Sequence, residues 1–122
     1  MTRVHCSIVR LPPGKDSFAY HSHRIEEEWI YMLSGRAVAL IDGEEHEVGP
    51  GDFMGFAQPS PAHLMKNPFA EEAVYLMGGE FPPLDVVDYP ELKKKYLLLR
   101  GDGPTQFYEL GEPVCPFGPA EE

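Results

Sequence analysis

The sequence predicts an all-β domain, a sandwich or barrel of short strands. Three observations carry that expectation. Between residues 27 and 77, short apolar and branched segments recur at intervals of about eight to twelve residues, with turn-forming residues between them. Thirteen prolines and twelve glycines in 122 residues are more than a helical bundle tolerates. Sustained helical periodicity is absent except, weakly, over residues 89–96 (YPELKKKY), where Pro90 could open a short helix.

Val4–Leu11 (VHCSIVRL) reads as the first strand, ended by Pro12, Pro13 and Gly14. Residues 17–20 form a short extended piece. Residues 27–33 (EEWIYML) are aromatic and branched, and Ser34 and Gly35 turn the chain. Residues 36–41 (RAVALI) lead into Asp42 and Gly43, whose pairing signals a type I′ hairpin with residues 44–48 (EEHEV) returning. After the turn at residues 49–52, strands follow at 53–56, 62–66 and 72–77, with the proline-rich loop QPSP at 58–61 between the first two. Residues 1–80 are thus expected to form the barrel. Residues 81–122 are expected to be an irregular, proline-rich extension that packs on the barrel or on a partner subunit.

Composition removes several classes of function. Apolar residues make up 43% and charged residues 25%, the balance of an ordinary globular domain. Twenty acidic and ten basic residues leave a formal net charge of −10. Such a surface repels phosphate backbones and anionic lipid, so neither nucleic acid nor membrane is the expected partner. No apolar run approaches the ~20 residues that span a bilayer, and the N-terminal stretch lacks a signal peptide's hydrophobic segment. A cytoplasmic location is expected, with Cys6 and Cys115 as free thiols.

The informative stretch is HSHRIEEEWIYMLSG, residues 21–35. His21 and His23, separated by one residue on an extended chain, point to the same side because side chains alternate with period two. Both imidazoles can therefore reach one ion, and a carboxylate a few residues on can complete a face of ligands. His63, just after QPSP, can add a third nitrogen from a neighbouring strand. Imidazole plus carboxylate without thiolate suits Fe, Mn, Ni, Co, Cu or Zn.

The pattern resembles that of the cupin superfamily. The family's first motif appears here as Gly14, His21, His23, Glu28 and Gly35, with six residues instead of five after Gly14. The second appears as Gly51, Pro59, Pro61, His63 and Asn67, with one residue more before the histidine than usual and Pro61 where glycine is usual. The resemblance covers roughly residues 4–80. It implies a double-stranded β-helix, or jelly-roll barrel, holding one divalent metal on His21, His23, Glu28 and His63. Within the run Glu26-Glu27-Glu28, the spacing to Gly35 in that motif selects Glu28, leaving Glu26 and Glu27 as a solvated face.

With Glu28 inward, Ile30 and Met32 are expected to line the same barrel face, and Trp29, Tyr31 and Leu33 the opposite one. Tyr20, Gln58 and Asn67 flank the motifs and are candidate pocket or supporting groups, Asn67 more as a loop closer than as a ligand. His46 in EEHE is expected to be exposed, His5 to be a satisfied edge histidine, and Lys66 to face solvent.

Three histidines and one glutamate leave up to two open positions on an octahedral ion. The resemblance implies a small metalloenzyme acting on a small, oxygen-rich metabolite, as oxygenase, decarboxylase or isomerase. The sequence shows no acid–base residue apart from the ligands, which favours dioxygenase-like chemistry. A reading of another class is a ligand-binding or sensing protein with a structural metal. Edge strands that need cover favour a homodimer, with the first strand and the tail available to provide it.

Overall fold

The computed structural model describes residues 2–118, and among these there is no helix. Eleven strands form three antiparallel sheets. They are β1 (Val4–Leu11), β2 (Ser22–His23), β3 (Glu28–Ser34), β4 (Ala37–Ile41), β5 (Glu44–Val48), β6 (Phe53–Phe56), β7 (His63–Lys66), β8 (Ala73–Glu80), β9 (Leu84–Tyr89), β10 (Lys94–Leu99) and β11 (Gln106–Glu109). The sheet orders are β1-β8-β3-β6, β11-β10-β9-β2 and β5-β4-β7. This is a jelly-roll barrel.

Alternation along β3 follows the expected faces. Glu28, Ile30 and Met32 are buried, whereas Tyr31 and Leu33 are exposed. The core gathers Ile30, Met32, Ala37, Ala39, Phe56, Met65, Ala73 and Tyr75 from five strands. On the outer face, Trp29 lies over Gly78, where a Cβ would stand 2.4 Å from the indole, and stacks on Phe53 with ring centroids 6.3 Å apart. Asp42 and Gly43 have φ values of 50° and 80°, as a type I′ turn requires.

The region after residue 80 departs from expectation. Instead of an irregular tail, it supplies β9, β10 and β11, which continue from β2 into a four-stranded sheet. The helix anticipated over residues 89–96 is absent: residues 90–93 turn the chain between β9 and β10, and Lys93 takes a positive φ of 54°. A four-residue stretch of helix formers is too short to nucleate alone. The cross-strand register from Tyr89↔Lys94 to Leu84↔Leu99 holds the chain extended instead.

Tyr75 is fully buried, and its hydroxyl has no hydrogen-bond partner among the described residues. Burial pushes its pKa up to about 12, with nearby Ser17 opposing the shift. An unsatisfied buried hydroxyl costs roughly 1–3 kcal/mol. Tyr75→Phe is therefore expected to leave Tm unchanged or raise it by a few degrees, on the order of 1 kcal/mol. A clear drop in a thermal unfolding scan would show that the hydroxyl is satisfied in solution.

Candidate metal centre

The fold brings His21, His23, Glu28 and His63 to one cavity of about 580 Å³. Three local devices bring them there. His21 and His63 face each other across an isolated antiparallel bridge, with His63 N donating to His21 O at 2.8 Å. His23 lies on β2, pinned by Ser60, whose Oγ accepts from His23 N at 2.8 Å and whose own N donates to His23 O at 2.8 Å. Glu28 opens β3, paired with Phe56 on one side and Gly79 on the other. The absence of a side chain at Gly79 is required there, since a Cβ would stand 2.5 Å from the Glu27 carbonyl oxygen.

The four side chains converge. His21, His23 and Glu28 each offer a ligand atom within 4.8 Å of the others. His63 Nε2 lies 2.5 Å from Glu28 Oε1, and His23 Nε2 lies 3.8 Å from that oxygen. The ring of His21 is 5.0 Å from those of both His23 and His63. Phe56 stacks on the His63 imidazole at 3.9 Å.

The outward nitrogens test whether a metal fits. His21 Nδ1 donates to the Ala19 carbonyl at 2.7 Å, and His63 Nδ1 to the Pro61 carbonyl at 2.8 Å. His23 Nδ1 meets Asp85 Oδ2 at 2.7 Å. With Nδ1 as the donor in all three rings, each Nε2 turns toward the cavity and is the ring atom available to an ion. His63 Nε2 and Glu28 Oε1, 2.5 Å apart, are two of the donor atoms such an ion would be offered. A divalent transition metal fits this donor set.

The cluster is electrostatically tuned. Burial lowers the His21 pKa, opposed by the Ala19 carbonyl and aided by His63 and His23. Burial alone would raise Glu28, yet the hydrogen bond from His63 and the fields of the three histidines outweigh it and hold the carboxyl below its ordinary value. Both shifts have the same consequence for stability. A group with a lowered folded pKa stabilises fully above its unfolded value, and that contribution is lost as pH falls through the folded value. The metal-free protein is expected to weaken first below pH 6.5, where the unfolded chain's His21 takes up a proton that the folded one resists, and again below pH 4.5 through Glu28 in the same way. Denaturant midpoints that stay flat from pH 7.5 to 4 would contradict this.

The supporting residues sort only partly as the sequence reading expects. Ile30 lines the cavity. Met32, fully buried, belongs to the core and does not line it. Tyr20 also lies apart from the cavity; its hydroxyl accepts from Gly43 N at 2.9 Å and braces the hairpin. Gln58 is exposed, with its backbone N bound to Glu27 Oε2. Asn67 closes a loop: its side-chain nitrogen donates to Leu11 O and Glu71 O, and its oxygen accepts from Phe69 N. The extra residue before His63 and Pro61 in place of glycine leave all four metal candidates together.

Three residues were missed. Glu26, expected on a solvated face, is 4% exposed and lines the cavity, where it meets His5 Nε2 at 3.1 Å and Arg100 Nη2 at 3.3 Å. Arg100 also lines the cavity and lies over the Phe81 ring, 4.6 Å from its centroid. Asp85 is fully buried behind His23. Its signal was a break in pattern, an acid in the inward register of a strand whose other residues on that face are Val87 and Tyr89.

The chain belongs to the cupin domain family, whose model matches residues 7–79. It is similar to the solved structure of a "Putative sugar phosphate isomerase" from Acidithiobacillus ferrooxidans, with 35% identity, 87% of this chain and 67% of that chain covered, and a TM-score of 0.78. It also resembles a cupin-superfamily sugar phosphate isomerase from Silicibacter pomeroyi (24% identity, 96% and 74% covered, TM-score 0.81). A predicted oxalate decarboxylase from Thermotoga maritima is more distant (21% identity, 66% and 69% covered, TM-score 0.59). The last two likenesses show the fold alone. No curated protein matches the chain significantly.

Proposed function

We propose that the protein is a metalloenzyme that isomerises a small, oxygen-rich metabolite by proton transfer, with one divalent ion on His21, His23, Glu28 and His63. The observation that carries the reading is the set of three imidazoles whose Nδ1 atoms are tied outward, leaving Nε2 toward one carboxylate in a shared cavity. A bound ion would act there as a Lewis acid, polarising a carbonyl or hydroxyl oxygen of the substrate.

The preference for oxygen chemistry rested on the lack of acid–base groups outside the ligands. Glu26 and His5 line the same cavity, so that premise no longer applies. The Glu26 carboxylate can accept a proton from a substrate carbon and return it to a neighbouring one, while His5 Nε2 and the Arg100 guanidinium hold the carboxylate in place. The largely apolar remainder of the wall, including Ile30, Leu64, Met77 and Val87, offers few competing polar groups and so strengthens these electrostatic effects. The isomerase named among the relatives, at 35% identity, favours the same class.

The test is solvent isotope exchange. Metal-loaded protein in D₂O, given a panel of aldoses, ketoses and their phosphates, is expected to place deuterium on a carbon beside the carbonyl. Oxygen uptake without such exchange would establish a dioxygenase, and neither reaction across the panel would favour a ligand-binding protein with a structural metal. A homodimer remains the expected assembly. The outer row Ile8, Tyr31 and Phe53 is exposed, β1 pairs with its own chain's β8, and a monomer by sedimentation at micromolar concentration would refute it.

A further inference from the structure

The second cluster of ligand-type side chains lies directly behind the metal centre. His23, Glu26 and Asp85 each offer an atom within 4.8 Å of the others. Such a cluster could in principle hold a second ion bridged through the His23 ring, or it could orient that ring for the first ion.

The hydrogen bonds decide between these. Asp85 Oδ1 accepts from Ile25 N at 2.9 Å and from Val86 N at 2.8 Å, and Oδ2 accepts from His23 Nδ1 at 2.7 Å. Both carboxylate oxygens are thus committed to N–H donors. Glu26, whose Oε2 is 3.5 Å from the same Nδ1, already faces the Arg100 guanidinium and His5. A second divalent ion would have to displace these donors and sit beside a cation.

We infer that Asp85 is a positioning residue of the metal centre: it holds the His23 ring with hydrogen on Nδ1, so that Nε2 is presented to the ion. Its side chain is fully buried and comes from β9, outside the residues 7–79 that the family model matches. The chain segment that looked like a tail therefore completes the site, because β9 pairs with β2 at His23↔Val87 and places Asp85 behind the ring. Carboxylate partners of this kind fix the tautomer of a ligating histidine and raise its basicity.

Asp85→Asn separates this role from simple packing. The asparagine keeps an oxygen for Ile25 N and Val86 N, but its amide nitrogen then faces His23 Nδ1. Two donors cannot meet, so the ring hydrogen moves to Nε2 and occupies the lone pair that an ion needs. Ring ¹⁵N NMR of the metal-free proteins is expected to show His23 with hydrogen on Nδ1 in the wild type and on Nε2 in the variant. Titration calorimetry with Zn²⁺ and with Mn²⁺ is expected to show one ion per chain in both, bound about 10–100-fold more weakly by the variant.

A wild-type His23 carrying its hydrogen on Nε2 would overturn the inference, and this measurement needs no variant should Asp85→Asn fail to fold. A folded variant with unchanged ring tautomer and affinity would also overturn it. Two ions per wild-type chain would assign the cluster as a second metal site instead. The affinity arm rests on the metal reading proposed above, whereas the tautomer arm does not. A wild type that binds neither ion would therefore sink that reading while the NMR still decides the role of Asp85.

Discussion

His63→Ala is expected to lower divalent-metal affinity by about two orders of magnitude while leaving the protein folded. Four-ligand sites bind structural zinc with roughly 10–16 kcal/mol, so one ligand accounts for about 3 kcal/mol, or a factor of a hundred or more. His63 Nε2 also lies 2.5 Å from Glu28 Oε1, and its loss removes the hydrogen bond that helps hold that carboxyl below its ordinary pKa. The cost to the metal-free fold is smaller. The imidazole stacks on Phe56 at 3.9 Å, a contact worth roughly 1 kcal/mol, and its backbone bridge to His21 survives the substitution. Metal analysis after dialysis, paired with a thermal scan, checks both halves. Unchanged metal content would place the ion elsewhere.

Gly79→Ala is expected to damage fold and site together. A Cβ at Gly79 would stand 2.5 Å from the Glu27 carbonyl oxygen and 2.9 Å from both Cα and Cβ of Glu28. These are atoms of a paired strand, with Glu28↔Gly79 in register, so β8 and β3 would have to part. Overpacking of this kind costs about 3 kcal/mol or more where the obstacle is backbone, which lowers Tm by roughly 10 °C in a domain of this size. The displaced strand also carries Glu28, so metal affinity should fall with stability. Gly101→Ala, where a Cβ would meet nothing within 4 Å, is the control and is expected to be neutral. Equal melting temperatures for the two variants would show that the β3–β8 spacing is looser than described.

Much of the barrel was legible because its signals are local. The Asp42-Gly43 turn, the alternation that buries Glu28, Ile30 and Met32, and the His-x-His pair each depend on a few consecutive residues. The region after residue 80 was not legible for the complementary reason. In β9 the inward positions hold Asp85, Val87 and Tyr89, so the apolar alternation that marks a strand is broken by a buried acid whose partners are distant in sequence. Prolines at 82, 83 and 90 reinforced the appearance of a loop. Glu26 was misjudged in the same way. In a three-glutamate run nothing local distinguishes the residue that faces Arg100, 74 positions away, from those that face water.

The amino-acid order by itself determined the family, the strand rhythm and the identity of three imidazoles and a carboxylate as candidate ligands. Tertiary structure decided which groups stand behind and beside them: Asp85 against His23, and Glu26 between His5 and Arg100. The physical reason is range. Turn chemistry and side-chain alternation act over a few residues, whereas a buried carboxylate is tolerated only where distant donors converge on it, and that convergence exists only once the sheets have closed.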